Sequence, residues 1–345
     1  MKRPAAEPGR IALVRLSSLG DVVHALPLAR ALRRRFPRAE LTWVVERREE
    51  AILAGNPDLD HVVPVDTRLW RREFRRPGGV PMVFFKVRGL VRRLRAGRLD
   101  VAVDVQGNLK SGLITAMTGA PLRVGFALRH CRERGNVLFT NRRVALPPGP
   151  LHVVEENLAL LSALGIGRDA VGAPAFPMPT DPAAEGVVAR FLEKEGARPE
   201  ARLVALNPGA GRKGKRWAVE AYRRVGEALC RRLDARPLLC WGPGEDGLAR
   251  AIAEGMPGAP LVPPATSILE MVVLLRRAAL VVGGDTGPIH VAAVLGVPTV
   301  GLYGPTDARR NGPYGSRVAT VQSPTGKMDG IRVEAVLAAA ERLLA

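Results

Sequence analysis

Cysteine and aromatic residues are scarce in this chain. Three cysteines among 345 residues, Cys131, Cys230 and Cys240, are too few for a disulfide framework, and no two stand at Cys-x-x-Cys metal spacing. A chain of this length buries a sizeable core without such staples, and a reducing compartment is the expectation. Aromatic residues make up only 4%. Apart from Trp70, Phe74 and the Phe84-Phe85 pair, no stacking platform interleaves the basic stretches, which disfavours single-stranded nucleic acid as a partner. Zinc-finger, helix-turn-helix and RNA-recognition signatures are missing as well. No run reaches the ~18–20 apolar residues of a spanning helix, and the longest candidate, 290–305, is cut by Pro298 and several glycines. The N-terminus, MKRPAAEPGRIALVRL, starts basic but carries Arg15 inside its apolar run, with no small-residue cleavage site after it, so it does not read as a signal peptide. The expected location is cytoplasmic, with access to membranes only from their surface.

Metal-binding patterns are equally thin. The five histidines (24, 61, 130, 152, 290) are dispersed, and no Asp-x-Asp pair stands at a strand end; Asp58 and Asp60 sit in a turn after Pro57. No metal and no cofactor are expected.

Charge is abundant and of one sign. The net charge is +19, with seven lysines against 45 arginines. Such an arginine skew beside many Ala, Gly and Pro residues reflects base composition as readily as a partner, so distribution matters more than the total. Residues 1–175 carry net +14 and residues 176–345 net +5, and between Arg68 and Arg98 eleven basic residues face one acidic residue, Glu73. That run is either the solvated face of one or two helices or a docking surface for something strongly anionic.

The organisation is strand, glycine-rich turn, helix, repeated. Strands are expected at 10–16, 41–45, 61–65 and 99–105, with amphipathic helices at 22–36, from the QGNLKSG turn to Thr118, and at 153–164. The proline-rich stretch VGAPAFPMPTDP (171–182) breaks the pattern, which restarts with strands at 203–206, 237–241, 279–282 and 299–303. Helices are expected at 218–233, 268–277 and 290–295, and over the last eighteen residues. The reading is an N-terminal domain 1–172, a linker 173–182, a C-terminal domain 183–327 and a terminal helical segment 328–345 packing back toward the first domain. Alternating strands and helices imply parallel sheets covered on both faces, whose ligands bind beyond the carboxyl ends of the strands. The polar, glycine-rich segments SSLGD, QGNLK, NPGAGRKGK, WGPGED, GGDTGP and YGPTD all fall there.

Three of these turns carry chemistry. In GGDTGPIH (283–290), Asp285 or Thr286 can cap a helix with Pro288 in its first turn, and the loose N–H groups of that turn suit a phosphate. His290, one turn on, points back toward the same strand ends. NPGAGRKGKRW (207–217) puts Arg212, Lys213, Lys215 and Arg216 in a flexible loop. It lacks the Gly-Lys-Ser/Thr ending of a Walker loop, so it is a diphosphate cradle or a solvated turn. SSLGD (17–21) is not the GxGxxG fingerprint, which disfavours hydride transfer. Its Asp21 is a helix cap or a general base whose basicity partial desolvation would raise.

Taken together, SSLGDVVHALP, DVQGNLKS, KRW after a glycine-rich turn, GGDTGPIHVAA and LYGPTD resemble glycosyltransferase family 9, the ADP-heptose:lipopolysaccharide heptosyltransferases, in order and spacing over roughly residues 10–340. RLWRREF, VQGNLKS and LFTNRR look closest to heptosyltransferase I, which adds the first heptose of the inner core. The resemblance implies a GT-B fold, an α/β architecture of two Rossmann-like, doubly wound parallel-sheet domains facing a central cleft. It implies inverting, metal-independent transfer from ADP-heptose to a Kdo-lipid A acceptor at an anionic inner-membrane surface, with no nucleic-acid partner. It makes Asp21 the catalytic base. Donor binding falls to Gly211, Arg212, Lys215, Asp246 (with Glu245 beside it), Asp285, Thr286, Gly287 and His290, and acceptor binding to Arg68, Arg71, Arg72, Gln106 and Lys110. Two departures stand out: glycines where heptosyltransferase I often has Thr-Thr in the donor loop, and Arg72 where Lys is frequent. Alternatives are another GT-B nucleotide-sugar enzyme, either an epimerase or a heptosyltransferase II-like transferase, and a non-enzymatic protein binding nucleic acid or anionic membranes.

Overall fold

A computed structural model describes residues 7–198 and 200–344, so the basic start at 1–6 lies outside the described residues. The chain forms two compact units, residues up to 149 with 153–177, and 150–152 with 178 onward. The division at 177/178 falls inside the proline-rich stretch, which is irregular until Asp181 caps the helix Pro182–Lys194 by accepting from Ala183 N at 2.9 Å.

The first unit is built on six parallel strands: β1 (Arg10–Val14), β2 (Glu40–Glu46), β3 (His61–Val65), β4 (Val101–Asp104), β5 (Leu122–Phe126) and β6 (Arg142–Val144), in the order β3-β2-β1-β4-β5-β6. The second has five: β7 (Arg202–Asn207), β8 (Ala235–Leu239), β9 (Ala278–Gly284), β10 (Thr299–Tyr303) and β11 (Val318–Gln322), ordered β11-β10-β9-β7-β8. All of β4 and all but the first residue of β1 are buried, as expected of central strands covered on both faces. Chain direction across the sheet reverses between β1 and β4 in the first unit and between β7 and β9 in the second. At such a switch point the loops after adjacent strands leave toward opposite faces and open a crevice. These are the loops after β1, β4, β7 and β9, where the SSLGD, QGNLK, NPGAGRKGK and GGDTGP segments lie.

One expectation requires correction. The helix expected at 22–36 is two, Leu19–Val23 and Leu26–Arg35, because Pro27 has no N–H and fits only in a first turn, so a new helix begins there. The terminal helix, Val333–Leu344, packs against elements of the second unit. Val336, Ala339 and Ala340 are fully buried in the cluster that holds Val300 and Leu302 of β10 and Leu229 of the helix Val219–Leu233. Trp217 fastens it: its ring meets Tyr222 edge-on at 5.3 Å, and its indole N–H donates to Ile331 O at 3.1 Å, just before the helix. Trp217→Ala leaves a large hole and an unpaired carbonyl. It is expected to cost about 3–5 kcal/mol in urea unfolding and to speed amide exchange across 333–344.

Candidate active site

In the first unit, β1 runs into a loop that delivers Asp21 in the first turn of Leu19–Val23, where its Oδ2 accepts from Ser18 N and Oγ, each at 3.2 Å. Arg15, one residue past β1 and 1% exposed, sends Nη2 to within 2.5 Å of Asp21 Oδ1, while its Nη1 donates to Val105 O at 2.5 Å, beyond β4. A second guanidinium, Arg132, comes from the loop after β5 to sit 2.9 Å from the same oxygen. Burial by itself would raise the Asp21 pKa; the two guanidiniums and the Ser18 N–H outweigh it and hold the carboxylate far below its usual range. The expected gain in basicity by desolvation is therefore absent in this state. Asp21 is fully ionised and clamped.

The loop that brings Arg132 is pinned from below. Asp104, at the end of β4 and fully buried, accepts from Ser111 Oγ (2.9 Å), Asn136 Nδ2 (2.6 Å) and the N–H groups of Gln106 (2.9 Å) and Gly107 (3.0 Å). Burial nonetheless raises its pKa above the ordinary value. Asn136 also donates to Asn108 O at 2.8 Å, and a Cβ on Gly112 would strike both Asn136 Nδ2 and Phe139, so the helix Leu109–Met117 seats against this loop only because residue 112 is glycine.

The acceptor set is not uniform. Gln106, expected to face the acceptor, is buried, and its Oε1 accepts from Leu16 N at 2.9 Å, tying β4's exit to β1's. Lys110 is half-exposed and committed to the buried Glu46 at 2.8 Å and Thr67 Oγ1 at 3.1 Å, a junction that fixes the start of the helix Thr67–Phe74. Arg68, Arg71 and Arg72 lie exposed on that helix, Arg72 making only a 3.8 Å contact with Glu73. Asp58 and Asp60 do not form a pair: Asp58 is held by Arg30 at 2.9 Å and Asp60 by Arg33 at 2.5 Å.

The second unit gathers its donors at the β7/β9 switch point. Register pairs Asn207 with Gly283, and a Cβ on Gly283 would fall 2.8 Å from Asn207 O, so the glycine lets the two loops lie together. Lys215 Nζ sits 2.7 Å from Asp285 Oδ2, and His290 Nε2 lies 3.2 Å from Asp285 Oδ1. Burial acts to raise the Asp285 pKa, but His290 and Lys215 overcome it and bring it down to about 2. Thr286 occupies the N-cap of Gly287–Val294, yet its hydroxyl donates to Gly284 O (3.1 Å) and accepts from Asn207 Nδ2 (2.8 Å) instead of capping. The first-turn N–H groups are left without a side-chain cap, the arrangement that receives an anion.

Gly211 and Arg212 are exposed on the loop after β7. Asp246, expected to hold a ribose, is exposed as the first residue of Asp246–Ala253. Glu245 is the carboxylate that turns inward, accepting from Gly242 N at 3.1 Å, lying 3.5 Å from Arg216 and covering Gly209, where a Cβ would collide with it. Arg15 and Arg132 are the residues at this site that motif reading passed over. Arg15 left a signal, a cation inside a buried strand run; Arg132, 111 residues from Asp21, left none.

A family model described as glycosyltransferase family 9 (heptosyltransferase) matches residues 87–338. Lipopolysaccharide heptosyltransferase 1 of Pseudomonas aeruginosa is 32% identical, covering 89% of this chain and 81% of its own. Among solved structures, a family 9 glycosyltransferase from Veillonella parvula aligns with a TM-score of 0.85 at 22% identity, covering 97% of both chains, a likeness of fold. E. coli heptosyltransferase WaaC with ADP aligns at 0.77 and 26% identity over 97% of this chain and 99% of that one; it has also been solved with ADP-2-deoxy-2-fluoro heptose. The chain belongs to glycosyltransferase family 9, the heptosyltransferases, and its two Rossmann-like units are those of the GT-B class.

The Asp285 clamp makes a pH prediction. Its folded pKa, about 2, lies below the unfolded 3.8, so the unfolded chain takes up the proton first. The stability it contributes is complete above about pH 4 and is lost as pH falls through 2. In urea unfolding, the deficit of Asp285→Asn relative to wild type should therefore be largest near neutrality and shrink below pH 4; a pH-independent deficit would remove the clamp.

Proposed function

We propose that the protein transfers heptose from ADP-heptose to a Kdo-lipid A acceptor, the first heptose of the lipopolysaccharide inner core, with inversion at the anomeric carbon. One observation carries the reading: an ionised carboxylate stands at the switch point of one sheet and an uncapped helix start with its lysine at the switch point of the other, in a chain of this family.

In this reading the diphosphate of ADP-heptose lies on the N–H groups of Gly287 and Ile289. Lys215, which spends one of its three N–H donors on Asp285, takes a phosphate oxygen, as does Arg212 on the exposed loop. These groups stabilise the negative charge that grows on ADP as the sugar leaves, which is where fixed donors lower the barrier most. Asp285 sets Lys215 and His290; His290 is held toward the sugar end. Glu245, with Asp246 beside it, binds the ribose. Arg68, Arg71, Arg72 and Lys110 receive the phosphates and carboxylates of the acceptor.

Asp21 takes the acceptor hydroxyl's proton as that oxygen attacks from the face opposite ADP. Its present state is too acidic for the task. Arg15 is buried and fixed, whereas Arg132 is 41% exposed and free to exchange Asp21 for an anionic group of the acceptor, an exchange that returns basicity to Asp21 when substrate arrives. No described helix is long and apolar enough to cross a membrane. We place the enzyme at the cytoplasmic face of the inner membrane, where its lipid acceptor is exposed.

The test is incubation with ADP-heptose and Kdo-lipid A, with mass spectrometry of the product; no added heptosyl unit under any nucleotide-sugar condition overturns the reading. Asp21→Ala should lower kcat by roughly 10²–10⁴-fold with ADP affinity unchanged by calorimetry. Lys215→Ala should weaken ADP binding by roughly 10–100-fold, the loss of a charged hydrogen bond of about 1.5–3 kcal/mol.

A further inference from the structure

The basic run forms two helices, Thr67–Phe74 and Gly79–Ala96, and the second is unusual along its length. Its C-terminal half is anchored: Leu90 and Leu94 are buried against Val14, Val44 and Val63 of the sheet. Its N-terminal half carries Val80, Met82, Phe84 and Phe85 at 52–68% exposure, and Phe74, at the end of the preceding helix, is 61% exposed. Half of the large hydrophobic residues that stand exposed among the described residues lie in these twelve positions. At 100° per residue, Val80, Phe84, Phe85, Arg88, Arg92 and Arg95 fall within one outward sector of the helix, apolar in its first two turns and cationic in the next two. None of the site residues named above lies on this helix.

We propose that this helix docks the enzyme on an anionic lipid bilayer, Phe84 and Phe85 entering the acyl boundary while Arg88, Arg92 and Arg95 lie among the headgroup phosphates. Exposed aromatics next to cations on one helical face are the composition that seats a helix in a membrane interface, and anionic lipid adds attraction for each cation. The charge of the face selects this occupant. Eleven basic residues against Glu73 alone between 68 and 98 oppose a second copy of the same face, which would set arginine against arginine. Nucleic acid is disfavoured by the aromatic geometry: the Phe84 and Phe85 rings stand edge to face at 73°, not as successive platforms for bases. The proposal rests on the membrane-surface reading above and adds the surface that makes the contact.

The test uses the full chain and vesicles of phosphatidylcholine, with and without phosphatidylglycerol, in co-sedimentation. Wild type should bind the anionic vesicles and lose binding as salt rises. The double substitution Phe84→Ser and Phe85→Ser should lower partitioning by roughly tenfold or more while thermal unfolding and turnover of a deacylated, water-soluble Kdo acceptor stay as in wild type. Arg88→Gln with Arg92→Gln should flatten the salt dependence. In Phe85→Trp, the emission of the added indole should shift to the blue on anionic vesicles only. Equal binding of the serine variant, no blue shift in the Phe85→Trp variant, or self-association abolished by the serine pair without any vesicle binding would each overturn the proposal. Failure of the wild type to turn over the soluble acceptor would count against the transferase reading alone, since vesicle binding is scored without catalysis.

Discussion

A parallel sheet can open a crevice only where its strand order reverses, and this protein has one such place in each unit. Asp21 and Asp285, each with its partners, stand there. At the β1/β4 reversal, Arg15 joins the two strand exits by touching both Val105 O and Asp21. At β7/β9 the union is backbone on backbone, with Gly283 lying too close to Asn207 to carry a side chain. The site residues differ in kind, but each is delivered by a loop whose starting point the sheet has already fixed.

Both reversals hold a carboxylate gripped by two side chains, Asp21 by Arg15 and Arg132, Asp285 by Lys215 and His290. The grips serve different ends. Asp285 is 13% exposed and works as an anchor, fixing where Lys215 and His290 stand. Asp21 has one immovable partner and one on a half-exposed loop, so its character can change with what Arg132 touches. A buried ion pair contributes little net stability compared with an apolar pair of the same volume, which fits a role in setting geometry and charge.

Much of this was legible in the sequence because the main signals were local. The apolar runs of β1, β2, β3 and β4 alternate with helical spacing, and the loops after β1, β7, β8 and β9 each set a glycine beside a charged residue. The strands β5, β6 and β11 did not show. β6 is three residues with two exposed arginines, β5 begins with a half-buried leucine and arginine, and β11 is an edge strand with no fully buried residue. None has the continuous apolar stretch that marks a central strand. Gln106 and Asp246 show another limit: a motif gives the neighbourhood of a side chain but not its direction, and the direction is set by the hydrogen bond to Leu16 and by the start of a helix at 246. Contacts such as Asp21 with Arg132 depend on how β5 leaves the sheet, which no window of residues contains.

The seat of Gly112 has a consequence for how damage in this protein would be read. An alanine there would push Asn136 off Asp104, and Asn136 anchors the loop bearing Arg132. A single methyl group on this helix would then disturb Asp21 through Asn136 and Arg132, although the glycine's own neighbours are only Asn136 and Phe139.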